Sequence, residues 1–201
     1  LYNHADLAAQ LRDRGHVFRS HCDTEVALAA YVEWGTDAFR RFNGMFALAV
    51  LDLRRHELVL ARDQFGIKPL FYAAWDGGLA FASEIKALLQ VPAVSRTAAP
   101  DALYRYLRFG MTDRAEQTMF QDVRRLPAAS YARIDLRRSL VIEPQQYWRL
   151  DDVQRSPMSL PRAADAVREA FLRSVALHMR SDVPIGAALS GGIDSSAIVA
   201  A

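Results

Sequence analysis

The run Leu189-Ser190-Gly191-Gly192-Ile193-Asp194-Ser195-Ser196 constrains this chain more than any other stretch. An apolar segment with Val183, Ile185, Ala187, Ala188 and Leu189 leads into it and predicts a buried strand. Ala197, Ile198, Val199 and Ala200 follow, and predict a helix beginning at Ser195. Paired glycines between a strand and a helix let the backbone come close to an anion, with amide groups and the helix N-terminus aimed at it. Ser190, Ser195 and Ser196 add hydroxyl donors to that cradle. The loop holds no lysine, which excludes the Gly-Lys-Ser/Thr ending of the common phosphate loop. Such a cradle normally opens a nucleotide-binding domain, with most of the sheet after it. The chain therefore reads as a fragment cut at both ends, opening at Leu1 inside one domain and stopping at Ala201 early in another.

Composition narrows the partners. A length of 201 residues suffices for one complete domain and part of a second. Its 25 basic and 23 acidic residues leave a net charge of +2, and they form no basic stripe, so nucleic acid is not expected. No run approaches the ~18 apolar residues of a membrane helix. No charged-then-apolar leader opens the chain, and its single cysteine, Cys22, excludes an internal disulfide; the cytoplasm is the expected compartment. His4, His16, His21, His56 and His178 show no metal-ligand spacing.

Periodicity gives the organisation. Residues 6–14 predict a helix capped by Asn3 and closed by Gly15, and residues 24–34 a second helix stopped by Gly35. Residues 45–52 are apolar on both faces and predict a strand covered on both sides. Residues 57–62 pair with them through the Arg54-Arg55 turn. Residues 70–75 and 79–83 form a hairpin across Asp76-Gly77-Gly78, residues 84–90 and 101–109 short helices, and residues 131–134 and 140–142 a late hairpin. Residues 151–161, rich in Asp, Ser and Pro, read as a linker. Ser159 then caps a helix that carries Ala164, Val167, Phe171 and Val175 on one face.

The loop at 190–196 resembles the SGGxDS pyrophosphate loop of the ATP pyrophosphatases, which split ATP to AMP and pyrophosphate to activate a carboxylate. Four earlier blocks occur in order: His21-Cys22-Asp23-Thr24-Glu25-Val26, Asn43-Gly44-Met45-Phe46-Ala47, then Ala61-Arg62-Asp63-Gln64-Phe65-Gly66-Ile67-Lys68-Pro69-Leu70 and Ala82-Ser83-Glu84-Ile85-Lys86-Ala87-Leu88. They resemble the glutaminase domain of the class II glutamine amidotransferases. Together with the loop they resemble the glutamine-hydrolysing asparagine synthetase family over essentially the whole chain.

That resemblance implies a four-layer αββα glutaminase of the N-terminal-nucleophile type over residues 1–150, a linker, and the start of an α/β ATP-pyrophosphatase domain over residues 162–201. It implies glutamine hydrolysis at an N-terminal cysteine, passage of ammonia through an internal tunnel, and ATP-dependent amidation of aspartate through an AMP ester. The implied substrates are glutamine, aspartate and ATP with Mg²⁺, and a homodimer is admitted. The nucleophile, the arginine-containing glutamine loop and the oxyanion residues match nothing in this chain, so no catalytic residue is assigned. Cys22 is read as a packing residue.

Asp23 matches the aspartate that pairs with the α-ammonium of glutamine; its alternative is an N-cap for the helix after it. Arg62, Asp63 and Lys68 read as a structural ion pair and a proline-set turn. For ATP, the resemblance assigns Leu189, Ser190, Gly191, Gly192, Asp194, Ser195 and Ser196, with Asp194 also the magnesium ligand. The alternative for Asp194 is an acid favoured by the helix dipole. Three other functions stay open: a related amidotransferase acting on another carboxylate, a phosphoribosyl amidotransferase (against which the SGGxDS loop argues), and a non-catalytic module.

Overall fold

The chain was analysed as a computed structural model that describes residues 1–112, 116–138, 140–152, 156–181 and 183–201. Helices α1 (His4–Arg12), α2 (Asp23–Trp34) and α3 (Ala38–Arg41) come first, the last two joined by a 3-10 turn at Gly35–Asp37. Leu7, Leu11, Val26, Ala30 and Phe39 supply their buried faces. Gly35 ends α2 at φ 59°, a backbone conformation that favours glycine. Helix α1 starts two residues before the expected position. Asn3 sits at its N-cap without a capping bond. Its side chain instead donates to the Arg41 carbonyl (2.9 Å) and accepts from the Asn43 amide (3.0 Å), tying α1 to the end of α3.

Strands β1 (Ala47–Asp52) and β2 (Glu57–Arg62) follow as an antiparallel pair, in register from Ala47 opposite Arg62 to Asp52 opposite Glu57. Asp52 closes their turn by accepting the amides of Arg54 and Arg55 at 3.0 Å. Next come β3 (Phe71–Trp75), β4 (Gly78–Ala82), α4 (Ile85–Leu88) and α5 (Pro100–Phe109), then β5 (Arg124–Arg125), β6 (Ser130–Asp135) and β7 (Gln145–Gln146). One sheet runs β1-β2-β6-β7 and the other β4-β3-β5, with all pairings antiparallel.

Side-chain alternation along the strands builds the layers. Val59 and Ala61 of β2 face the helices, in a core with Leu11, Ala30, Phe39 and Phe42. Leu58 and Leu60 face the other way and meet Leu70, Tyr72 and Leu126 of the second sheet's side. The far face of that sheet, through Ala73, packs with Leu88 of α4, Val94 and Val123. Helices, sheet, sheet, helix: the expected αββα order is the observed one.

Two strand expectations need correction. Strand β1 is not covered on both faces: it lies at the sheet edge, and Ala49 and Leu51 remain exposed, Leu51 at 55%. Strand β2 is the doubly covered one, since position in the sheet and not apolar content decides coverage. Residues 140–142 form no strand; β6 pairs with Gln145–Gln146, while Leu140 and Ile142 pack against the core between the sheets.

After a 3-10 turn at Leu150–Asp152 comes α6 (Leu160–His178). The linker expected at 151–161 falls partly outside the described residues, at 153–155. Ser159 occupies the α6 N-cap position without a capping bond. Phe171 and Val175 are half-buried, and the end of α6 touches the first helix region: the Tyr2 and His178 rings lie 4.4 Å apart, and Arg180 donates to the Tyr2 carbonyl at 2.7 Å. Helix α7 (Ile193–Ala200) closes the chain. No strand forms among the described residues of 183–189, where no neighbouring strand is present to complete a ladder.

Phe39 is fully buried, with ring contacts to Tyr31, Phe42, Tyr131 and Tyr147 at 5.8–6.4 Å between centroids. Phe39→Ala should lower the unfolding free energy by about 3–5 kcal/mol. Leu53→Ala, at a residue 72% exposed, should stay within about 0.5 kcal/mol of the parent. Urea unfolding followed by circular dichroism measures both; equal effects would remove Phe39 from the centre of the core.

Candidate functional site

Four segments converge on a cavity of about 420 Å³. The start of α2 contributes Asp23 and Thr24, the approach to β1 Met45 and Phe46, the loop after β2 Lys68 and Pro69, and the end of β4 Ser83. Leu1 lies in the same wall. The volume lies within the range of small-molecule sites and exceeds what one amino acid occupies.

Asp23 is the acid of this pocket, and Lys68 its base. Asp23 is the first residue of α2, and the N-cap is Cys22, so its carboxylate is not the capping group. Its Oδ2 instead accepts from the backbone nitrogen of Leu1, and the Asp23 side chain stays 44% exposed. A carboxylate in the first turn also suits the helix dipole. The arrangement presents a carboxylate to a pocket with apolar walls at Ala27, Phe46 and Leu48.

Cys22 is exposed, contrary to its reading as a packing residue, because the N-cap position turns it outward before α2 begins. Hydrogen bonds involving Thr24 lower its thiol pKa.

Arg62 and Asp63 are both buried, and each works on backbone groups of the loop that follows. The Asp63 carboxylate accepts the amides of Phe46, Phe65, Ile67 and Lys68 at 2.9–3.2 Å. The Arg62 guanidinium donates to the carbonyls of Lys68 and Leu126, both at 2.8 Å, and of Gly66. The buried Tyr147 hydroxyl donates to the Arg62 carbonyl at 2.8 Å, and burial raises its pKa. Sequence reasoning missed Met45, Phe46 and Ser83 as pocket walls, and Asp63 as the group that joins two of those walls. The signal for Asp63 is an acid directly after an apolar strand and three residues before a glycine, the pattern of a side chain folding back on its own loop.

The C-terminal loop lies outside this pocket. Gly191 takes φ +80°, which lets the chain turn into α7, whose N-cap is Gly192. Ser190 and Ser195 hydroxyls lie 3.0 Å apart, and Ser195 also donates to the Gly192 carbonyl at 3.1 Å. Asp194 stands in the first turn of α7, and Leu189, Ser190, Gly191, Gly192, Asp194 and Ser196 are exposed around it, with Ser195 partly so. Serine hydroxyls and helix-end amides thus sit together, as a phosphate cradle requires. Among the described residues no group of three or more His, Cys, Asp or Glu could hold a metal by itself. One carboxylate at this place suits Mg²⁺ only where phosphate oxygens and water supply the remaining ligands. No described helix is long and apolar enough to cross a membrane.

A family profile described as glutamine amidotransferase domain matches residues 1–148, and one described as asparagine synthase matches residues 166–201. The chain belongs to the glutamine amidotransferase family. Among its relatives are proteins named asparagine synthetase. Glutamine-hydrolysing asparagine synthetase 3 of Bacillus subtilis (strain 168) is 36% identical over 200 residues, covering 100% of this chain and 32% of that protein. A putative glutamine-hydrolysing asparagine synthetase of Mycobacterium tuberculosis (strain H37Rv) is 40% identical over 207 residues, covering 100% of this chain and 31% of the relative. A Methanocaldococcus jannaschii homologue named putative asparagine synthetase 2 is 33% identical over 180 residues, or 88% and 34% of the two chains. The chain spans about a third of the length of these relatives.

Proposed function

We propose that residues 1–150 bind glutamine for hydrolysis and that residues 162–201 begin a domain that uses ATP to activate aspartate, the whole protein making asparagine, AMP and pyrophosphate. The observation that supports this reading is the Asp23 carboxylate at the start of α2, in a solvent-open pocket with Phe46 and Pro69 in its walls. An α-ammonium is what free glutamine presents. Asp23 would hold that end of the substrate while the γ-amide extends toward the family's N-terminal cysteine, and the apolar walls at Phe46 and Pro69 would limit water around it.

The second half of the reading rests on the 190–196 loop. Its serine hydroxyls and the amides at the start of α7 would bind the pyrophosphate of ATP, with the Leu189 backbone toward the adenine end. Asp194 would carry the Mg²⁺ that neutralises the leaving pyrophosphate. The γ-amide nitrogen released as ammonia would then displace AMP from the β-aspartyl ester. We place the enzyme in the cytoplasm, where ATP, aspartate and glutamine occur together.

Two substitutions in the full-length protein separate the halves. Asp23→Asn keeps the shape and removes the charge. Asp23 is 44% exposed, so solvent screens the pair and its loss costs about 1 kcal/mol; glutamine-dependent product formation should fall about fivefold, mainly through KM. Ammonia-dependent formation should be unchanged. Asp194→Ala should abolish aspartate-dependent pyrophosphate release while glutamate release from glutamine persists. Equal loss of both activities in Asp23→Asn would make Asp23 structural, and wild-type pyrophosphate release in Asp194→Ala would remove it from the ATP site. Amidation of a carboxylate other than aspartate would change the acceptor and leave the glutamine site standing.

A further inference from the structure

We propose that the Asp63 carboxylate is a positioning residue that sets the separation of two walls of the glutamine pocket, a proposal that rests on the glutamine reading of that pocket. Asp63 is 1% exposed and touches no pocket surface. Its Oδ2 accepts two amides at once, that of Phe46 at 3.2 Å and that of Lys68 at 2.9 Å. Phe46 precedes β1 and Lys68 follows β2, and both line the pocket that Asp23 enters. One oxygen therefore joins two walls that the chain itself connects only through a 22-residue excursion.

The remaining contacts make that junction rigid. Asp63 Oδ1 accepts the amides of Phe65 at 3.2 Å and Ile67 at 2.9 Å, so the loop between the walls is held from within. The Asp63 backbone pairs with the Phe46 carbonyl (2.9 Å) and accepts the Ala129 amide (2.8 Å). Arg62 takes the complementary polarity, donating to the Gly66 and Lys68 carbonyls. Gly66, at φ +63°, lies against that guanidinium: an added Cβ would come within 3.0 Å of Arg62 Cζ and 3.1 Å of Ala128 Cβ. A carboxylate is required here because all four neighbours are donors. An amide would turn its own N–H₂ toward two of them and release either the inner loop or the wall junction.

The test uses full-length protein and reads glutamine-dependent and ammonia-dependent synthesis side by side. Asp63→Asn should raise KM for glutamine roughly tenfold or more, with ammonia-dependent kcat within about twofold of wild type. Gly66→Ala presses on the Arg62 guanidinium and displaces the same loop while leaving the Asp63 carboxylate in place, and should raise KM in the same direction; it decides the matter if Asp63→Asn does not fold. Phe39→Ala, destabilised in the core, is the control for stability alone and should leave KM for glutamine near wild type. A wild-type KM in Asp63→Asn or Gly66→Ala, or a KM in Phe39→Ala that rises as far as theirs, would overturn the proposal. Asp23→Asn separates the two failures: if it too leaves glutamine use intact, the pocket is not the glutamine site, whereas loss in Asp23→Asn alone refutes only the role of Asp63.

Discussion

Three of the four layers of this fold meet on strand β2. Its two faces serve different cores, Val59 and Ala61 toward the helices and Leu58 and Leu60 toward the second sheet, so neither core forms unless β2 is in register. A slip by one residue would exchange the faces and turn each set of side chains into the wrong layer. The strand is held on both edges, by β1 and by β6 in antiparallel ladders, which is what a doubly buried backbone needs for its amides and carbonyls. The functional loop begins where that strand ends. Arg62 and Asp63 inherit a fixed origin from the most constrained element in the molecule, and the pocket wall at Lys68 is placed from it.

Much of this is legible in the residues. A continuous apolar run from Leu58 to Ala61 marks β2, the Asp76-Gly77 pair marks the β3–β4 turn, and Gly35 marks the end of α2. These are local signals, and local physics decides them. Exposure of β1 and the partner of β6 are not local. An edge strand and a central one carry the same apolar composition, and Leu140 and Ile142 fill the space between sheets as readily as they would pair in a hairpin. The apolar run at 183–189 shows the same limit, because strand formation needs a neighbour that composition does not supply.

The site divides in a similar way. Asp23 is found from its block, but its place in one pocket with Phe46, Lys68 and Ser83 joins distant segments and emerges only in the fold. Three of the four amides that the Asp63 carboxylate accepts fall on the loop just after it and follow from an acid placed before a glycine. The contact with Phe46 does not, since it spans the hairpin. Reading Arg62 and Asp63 as opposite charges in a row points to an ion pair. Burial gives each of them backbone groups to satisfy, and the loop supplies amides to one and carbonyls to the other.

That division of labour separates the shape of the loop from its outward chemistry. Polar backbone groups of residues 65–68 are bound by two side chains rooted in β2 and its end, so the conformation does not draw on Ile67, which points into solvent at 54% exposure; the Phe65 ring meets that of Trp148 at 5.5 Å. The tip at Ile67 is left at liberty to diverge. A lineage can recast the surface beside the pocket, residue by residue, while the two walls keep their spacing, because the template is written in Arg62, Asp63 and Gly66 alone.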